Sequence, residues 1–325
     1  MKSRFVTDLK DGEAVTSHFL VREKEVRISA RTGKSWLEVG LADRTGSISG
    51  KMWDNFEGLV KTFEADDVVQ IRARVKLYNG SKELTLEQII PAAEREYDIA
   101  DFLPHTQHDV EKMFADVRAA VAGMKNPALR KLLNDILDDP AIAARFKRAP
   151  AAMTMHHAFI GGLLEHVHSL IGLSRGLASH YPELDADLIL AGIVVHDIGK
   201  IEELRYARAF DYSTEGRLLG HIAIGLMMVR DKIKAIADFP AAQALLVEHL
   251  ILSHHGSLEF GSPALPQTRE AVALHFLDDL DSKMAAMRAS IELPAAAGSP
   301  DAVWTDRNPA LRRALLRTDK FIETK

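Results

Sequence analysis

Eleven of the 14 histidines in this 325-residue chain lie between His156 and His275, and the chain has no cysteine. Thiolate zinc sites, iron–sulfur clusters, disulfides and cysteine nucleophiles are excluded, so any metal must be held by imidazole and carboxylate. In chain order the candidate ligands are His166, the dipeptide His196-Asp197, His221, the dipeptide His254-His255, and Asp278. The gaps of roughly 24 to 33 residues each match one helix and a turn, so successive helices of a bundle would deliver donors to a common interior. Imidazole with carboxylate suits Mn²⁺, Fe²⁺, Co²⁺, Ni²⁺ or Zn²⁺ and disfavours an all-oxygen Ca²⁺ site. An adjacent His-Asp pair lets one helix end supply two ligands, and the aspartate has a second oxygen with which to bridge to a second ion. Two ions roughly 3.5–4 Å apart can activate a water and stabilise the departing oxygen of a phosphodiester.

The local sequence fits that reading. LILAGIVVHDIGK is an apolar helix that ends in charged residues. A buried helix ending in His-Asp must pair those groups or coordinate something. Gly199 reads as the helix C-cap. Lys200 is either an ordinary helix-end lysine or a contact to a substrate phosphate, and with Asp197 it is the candidate catalytic pair. In ALHFLDDLDSKM, His275, Asp278 and Asp281 recur every third residue and share a helix face. Asp279 and Asp281 compete with Asp278 as ligand, and Asp281 is expected to support a ligand from behind. His255 is a weaker candidate than His254. His156, His157, His168, His249 and His275 are expected at the surface or behind ligands.

The elements that must position these groups fall into two parts. Residues 14–53 read as β-strands: AVTSHFLVREKEVRIS, then SWLEVGLADRTGSISGKMW as two runs around an Asp43-Arg44-Thr45-Gly46 turn. Asn55 to Phe63 reads as a short helix. DVVQIRARVKLY and ELTLEQIIPA form a second hairpin around Asn79-Gly80. Five strands with a helix between the third and fourth is the order of an all-β oligonucleotide-binding (OB) barrel. From about Asp109 the periodicity becomes helical, with helices expected at 109–123, 127–137 and 140–147 and a longer all-α bundle to about 290. The expected domains are therefore a barrel at 1–95, a polar linker at 96–108, a helical domain at 109–292 with its core at 160–284, and a tail at 293–325. Leu293 to Pro300 ends the bundle.

The ligand order then carries a resemblance. H…HD…D at His166, His196-Asp197 and Asp278 resembles the HD-domain metal-dependent phosphohydrolase superfamily, and His221 with His254-His255 resembles its two-metal branch. The cyclic-dinucleotide phosphodiesterases of that superfamily share HDIGK, but their GYP motif is absent: after His254-His255 this chain reads GSLEFGSP. A barrel ahead of such a bundle, with YSTEGRLLGHIAIG, LILSHHGSLEFGSP and LHFLDDLDSKM, is similar to the bacterial YhaM family of 3′→5′ exoribonucleases. The resemblance covers about residues 10–320 and is strongest from Gly161 to Met284. It implies divalent metal, often Mn²⁺ and two ions here, and trimming of single-stranded RNA, with single-stranded DNA as a second candidate.

The barrel offers residues for such a partner. OB barrels hold single strands with stacking aromatics and cations. The aromatics are Phe19, Trp36, Trp53, Phe56 and Tyr78, of which most are expected in the core. Trp36 and Trp53 are the stacking candidates. Arg72, Arg74 and Lys76 alternate with Ala73 and Val75, which puts three cations on one strand face. The net charge of −5 makes the whole chain no polycation. Two other functions compete: hydrolysis of small nucleotides or cyclic dinucleotides, which needs no barrel, and nucleic-acid binding by a module whose bundle is structural. A di-iron oxygenase is a minor fourth. No apolar run approaches a membrane span, and no apolar segment follows the N-terminus MKSRFVTDLKDGEAV, so a cytoplasmic protein without a membrane partner is expected. Oligomeric state is left open by the sequence, a homo-oligomer included.

Overall fold

The computed structural model describes residues 2–29, 32–78, 81–153, 157–206, 211–292, 303–308 and 311–323. The chain forms two compact units, one of Met1–His105 with Tyr206–Phe210 and one of Thr106–Arg205 with Asp211–Lys325.

The first unit is a closed barrel. Its strands are β1 (Ala14–Ile28), β2 (Ser35–Asp43), β3 (Gly46–Met52), β4 (Val68–Tyr78) and β5 (Ser81–Pro91), in the order β1-β2-β3-β5-β4. β1 is long enough to serve two neighbours: Ala14–Leu20 pairs with β4, and Leu20–Ile28 pairs with β2 across a bulge between Val21 and Glu23. The β3–β5 pairing is parallel and closes the circuit. This is the OB order. The β2–β3 turn is held by Asp43, whose Oδ1 accepts from the Thr45 amide at 2.8 Å and the Thr45 hydroxyl at 2.6 Å. The Asn79-Gly80 turn lies outside the described residues. Strand alternation points Phe19, Val21, Leu37, Val39, Ile71, Val75 and Leu84 inward as the core. The helix expected at Asn55–Phe63 is instead a run of turns. The segment is too short to offset helix nucleation, carries Gly58, and opens on Asn55 at φ 58. Its task is to bury Phe56 and Phe63 in the barrel core. Residues 96–108, expected as a polar linker, carry Phe102 and Leu103, both fully buried.

The second unit is helical: α1 (Val110–Ala122), α2 (Pro127–Leu137), α3 (Pro140–Phe146), α4 (Gly162–His180), α5 (Ala186–Val195), α6 (Lys200–Glu203), α7 (Thr214–Ala235), α8 (Ala241–Ser253), α9 (Arg269–Glu292) and α10 (Thr318–Glu323), with a two-residue hairpin of β6 (Leu204–Arg205) and β7 (Asp211–Tyr212). The first three helices lie where the periodicity placed them, because their starts are coded locally. Asn126-Pro127 and Asp139-Pro140 each pair a capping side chain with a proline at the first helical position. α5 is buried on all sides. Gly192 lets α8 and α9 close onto it: a Cβ there would sit 2.9 Å from Leu250 and 3.0 Å from Leu274. Leu293 to Pro300 lies outside the described residues. The described tail returns to α9, where Asn308 donates to Ser290 Oγ at 2.6 Å. Among the described residues, no helix is long and apolar enough to cross a membrane.

Candidate metal centre

Five helices deliver the histidines and carboxylates to one interior point. His166 lies on α4, His196-Asp197 just past α5, His221 on α7, His254-His255 just past α8, and Asp278 on α9. His166, His196, Asp197 and His254 are almost fully buried. His166 Nε2 lies 3.4 Å from His196 Nε2 and 3.2 Å from Asp278 Oδ1. Asp197 divides its oxygens: Oδ2 is 3.4 Å from His196 Nε2, while Oδ1 is 3.3 Å from His221 Nε2 and 3.6 Å from His254 Nε2. His255 completes the second group, its ring 4.4 Å from that of His254 and 5.2 Å from that of His221.

The ring orientations are set by the partners of Nδ1. His196 Nδ1 donates to Ile193 O at 3.0 Å, and His254 Nδ1 donates to Ile251 O at 2.8 Å. A carbonyl can only accept, so each neutral ring carries its proton on Nδ1 and presents an Nε2 lone pair inward. His166 Nδ1 donates to Asp281 Oδ2 at 2.8 Å, and His221 Nδ1 faces Glu203 Oε1 at 3.3 Å. Asp197 Oδ1, His221 Nε2 and His254 Nε2 are buried with no hydrogen-bond partner among the described residues. Buried acceptors left in that condition are costly unless a cation joins them. The donor set therefore fits one divalent ion among His166, His196, Asp278 and Asp197 Oδ2, and another among His221, His254, His255 and Asp197 Oδ1.

Electrostatics agree. Burial alone would lower the His166 imidazole, but Asp278 and Asp281 raise it to about 9. An ion taking its Nε2 must therefore displace a proton. Burial would push the Asp197 carboxyl up, yet Lys200 and His196 hold it well below the usual range. Asp278 and Asp281 are likewise held low against burial, Asp278 chiefly by His166 and Asp281 by His157 and His166. His254 is lowered by burial, which keeps it neutral and ready to ligate.

The face of α9 sends its aspartates to different partners. Asp278 reaches His166 Nε2, Asp281 lies behind that ring, and His275 Nδ1 donates to His254 O at 2.8 Å. Asp279 turns outward to Lys283 at 2.6 Å. His157 is buried behind the centre, 3.2 Å from Asp281 Oδ2. His168 pairs with Asp116 at 3.2 Å, and His249 accepts from the Gln267 amide at 3.0 Å. His156 lies outside the described residues. Lys200 Nζ donates to Asp197 Oδ2 at 2.6 Å. Gly199 is not a left-handed cap: its φ is −62°. Glycine is needed there for close approach, because a Cβ would stand 2.0 Å from His221 O on α7. Sequence reasoning missed Glu203 and Glu165. Glu165 takes the Thr106 hydroxyl and lies 3.6 Å from His157 Nδ1. Neither glutamate has a spacing that separates it from surface glutamates.

On the barrel, the three cations of β4 point outward and are exposed. Arg72 is 3.2 Å from Glu87, and Lys76 stands opposite Glu83 on β5, so the stripe is partly neutralised. Phe19 and Phe56 are core. Trp36 is half-buried and Trp53 is 49 % exposed, with ring centroids 5.3 Å apart. Lys51 lies beside this pair on β3, 2.6 Å from Glu83 and 5.6 Å from the Tyr78 ring centroid.

Comparison with known proteins follows the same division. Residues 163–283 match the HD domain family, and residues 20–92 match a family described as an OB-fold nucleic acid binding domain. The 3′-5′ exoribonuclease YhaM of Bacillus velezensis is 38 % identical over 284 residues, covering 86 % of this chain and 88 % of the relative. YhaM of Bacillus subtilis is 36 % identical over 284 residues with the same shares covered. With that identity over 86 % of its length, the chain belongs to the YhaM exoribonuclease family.

Proposed function

We propose that this protein is a metal-dependent 3′→5′ exoribonuclease that hydrolyses phosphodiester bonds of single-stranded RNA in the cytoplasm. The observation that carries the reading is the division of Asp197, whose two oxygens face two separate groups of inward-turned imidazoles. Two ions, Mn²⁺ foremost, would be held by His166, His196, Asp278 and Asp197 on one side and by His221, His254, His255 and Asp197 on the other. When bound, they supply an activated water and neutralise charge on the phosphate. The chain's own groups do the rest. Asp281 and the main-chain carbonyls of Ile193 and Ile251 fix the rings so that only Nε2 faces the centre. Lys200, which donates to Asp197 Oδ2 at 2.6 Å, would partner a non-bridging phosphate oxygen as charge builds there.

The barrel supplies affinity. Trp36 and Trp53 offer sequence-tolerant stacking surfaces for bases, and Arg72, Arg74 and Lys76 track phosphates. Charge reversal of those three residues is expected to raise KM for long RNA and leave hydrolysis of a short model phosphodiester unchanged. The log–log salt slope of binding should fall by ~2, at about 0.7 per lost single-strand phosphate contact. Equal loss on both substrates would move these residues from strand binding to the reaction itself.

The reading is tested with Mn²⁺-loaded protein and single-stranded RNA labelled at the 5′ end, beside the same sequence as DNA. A descending ladder of labelled products is expected from RNA. Immediate release of a labelled mononucleotide, or cleavage at internal positions from the outset, would overturn the 3′→5′ assignment.

A further inference from the structure

Four imidazoles turn Nε2 toward the centre, and the group behind Nδ1 differs between them. His196 and His254 rest on main-chain carbonyls, while His166 and His221 rest on carboxylates, Asp281 and Glu203. Each of the two ligand groups thus contains one carbonyl-backed and one carboxylate-backed ring. A carboxylate behind a ligating ring orients it and raises the basicity of the nitrogen that faces the ion.

Glu203 is placed by an unusual local arrangement. It ends α6, the four-residue helix that follows His196-Asp197. Its side chain is buried, and among the described residues no lysine or arginine pairs with it. α7 breaks at Gly220, which takes φ 73° and ψ 158°, and the helix restarts at His221. A Cβ on Gly220 would meet nothing within 4 Å, so glycine is required by the backbone angle and not by crowding. The break leaves the His221 amide without an intrahelical acceptor. Glu203 Oε1 takes that amide at 2.9 Å and also faces His221 Nδ1 at 3.3 Å. One carboxylate oxygen therefore caps the restarted helix and holds the ring that the restart aims inward. A cap alone needs no charge, and burying one without a cationic partner is costly. The charge finds its use across the imidazole, at an ion on Nε2.

We propose that Glu203 is a positioning residue for one half of the centre: through His221 it sets the affinity of the ion held by His221, His254 and His255, and not that of the ion held by His166, His196 and Asp278. The inference rests on the two-ion reading above. Full-length protein stripped of metal is titrated with Mn²⁺, with free Mn²⁺ followed by electron paramagnetic resonance. Wild-type protein should take up two equivalents. E203A should weaken one class by ~10–100-fold, the usual cost of removing such a partner, and leave the other class unchanged. E203Q keeps an oxygen that accepts from the same amide and ring but lacks the charge. It should restore the thermal stability of the metal-free protein and only part of the affinity, and it carries the test if E203A does not fold. Unchanged affinities in E203A, equal weakening of both classes, or full recovery in E203Q would overturn the proposal, the last by reducing Glu203 to a helix cap. Wild-type protein that binds a single equivalent would overturn the two-ion reading and this proposal with it.

Discussion

Asp197→Ala is expected to strip the centre of its ions and to lower kcat on RNA by ~10³-fold or more, the upper end for losing one preorganised electrostatic group. Among the described residues, Asp197 is the carboxylate whose two oxygens face the two ligand groups. Oδ2 stands with His196 and Lys200, and Oδ1 stands with His221 and His254. Removing it also leaves Lys200 as a cation without its carboxylate partner, in a site where further positive charge must be accommodated. Both ions should therefore weaken together, unlike the one-sided effect expected at Glu203. His196→Ala removes a donor from one group only and should retain more metal than Asp197→Ala. The check is metal content by elemental analysis and single-turnover rates on the same preparation. An Asp197→Ala protein with full occupancy and wild-type turnover would remove Asp197 from the centre.

Lys200→Ala should separate chemistry from metal binding. The ammonium lies 2.6 Å from Asp197 Oδ2, and its side chain is only 12 % exposed, so it is not a solvated helix-end lysine. A protonated amine is a poor ligand but a good partner for a phosphate oxygen. Loss of that charge should lower kcat on the order of 10²-fold. Mn²⁺ should bind at least as tightly as before, because a like charge beside the shared carboxylate has gone. Lys200→Arg should not restore the rate, since a planar fork does not occupy a point-charge position. A fall in bound Mn²⁺, or an unchanged rate with metal retained, would each refute a role toward substrate.

Local sequence determined the kind of chemistry and the elements that carry it. Absence of cysteine left imidazole and carboxylate as donors, and an apolar helix ending in His-Asp forced a buried polar pair at α5. The three-residue recurrence of His275, Asp278 and Asp281 put all three on one face of α9, since helical geometry is local. Strand alternation and turn residues likewise gave the barrel order.

Tertiary structure decided among chemically identical neighbours. Glu202 turns out to Arg145 and Glu203 turns in to His221, although they are adjacent. Asp279 pairs with Lys283 while Asp278 reaches His166. Trp36 and Trp53 pair on the outer side of the barrel while Phe19 and Phe56 fill it, a choice that hydrophobicity alone does not make. Periodicity reports the side of an element on which a residue lies, but not what packs against that side. The tautomer of His166 depends on Asp281, 115 residues away, and the aim of His221 depends on a carboxylate 18 residues earlier and a break at Gly220. Such contacts are fixed only when distant helices close on one another, and the ion-facing nitrogen of each ring is set by the partner it finds there.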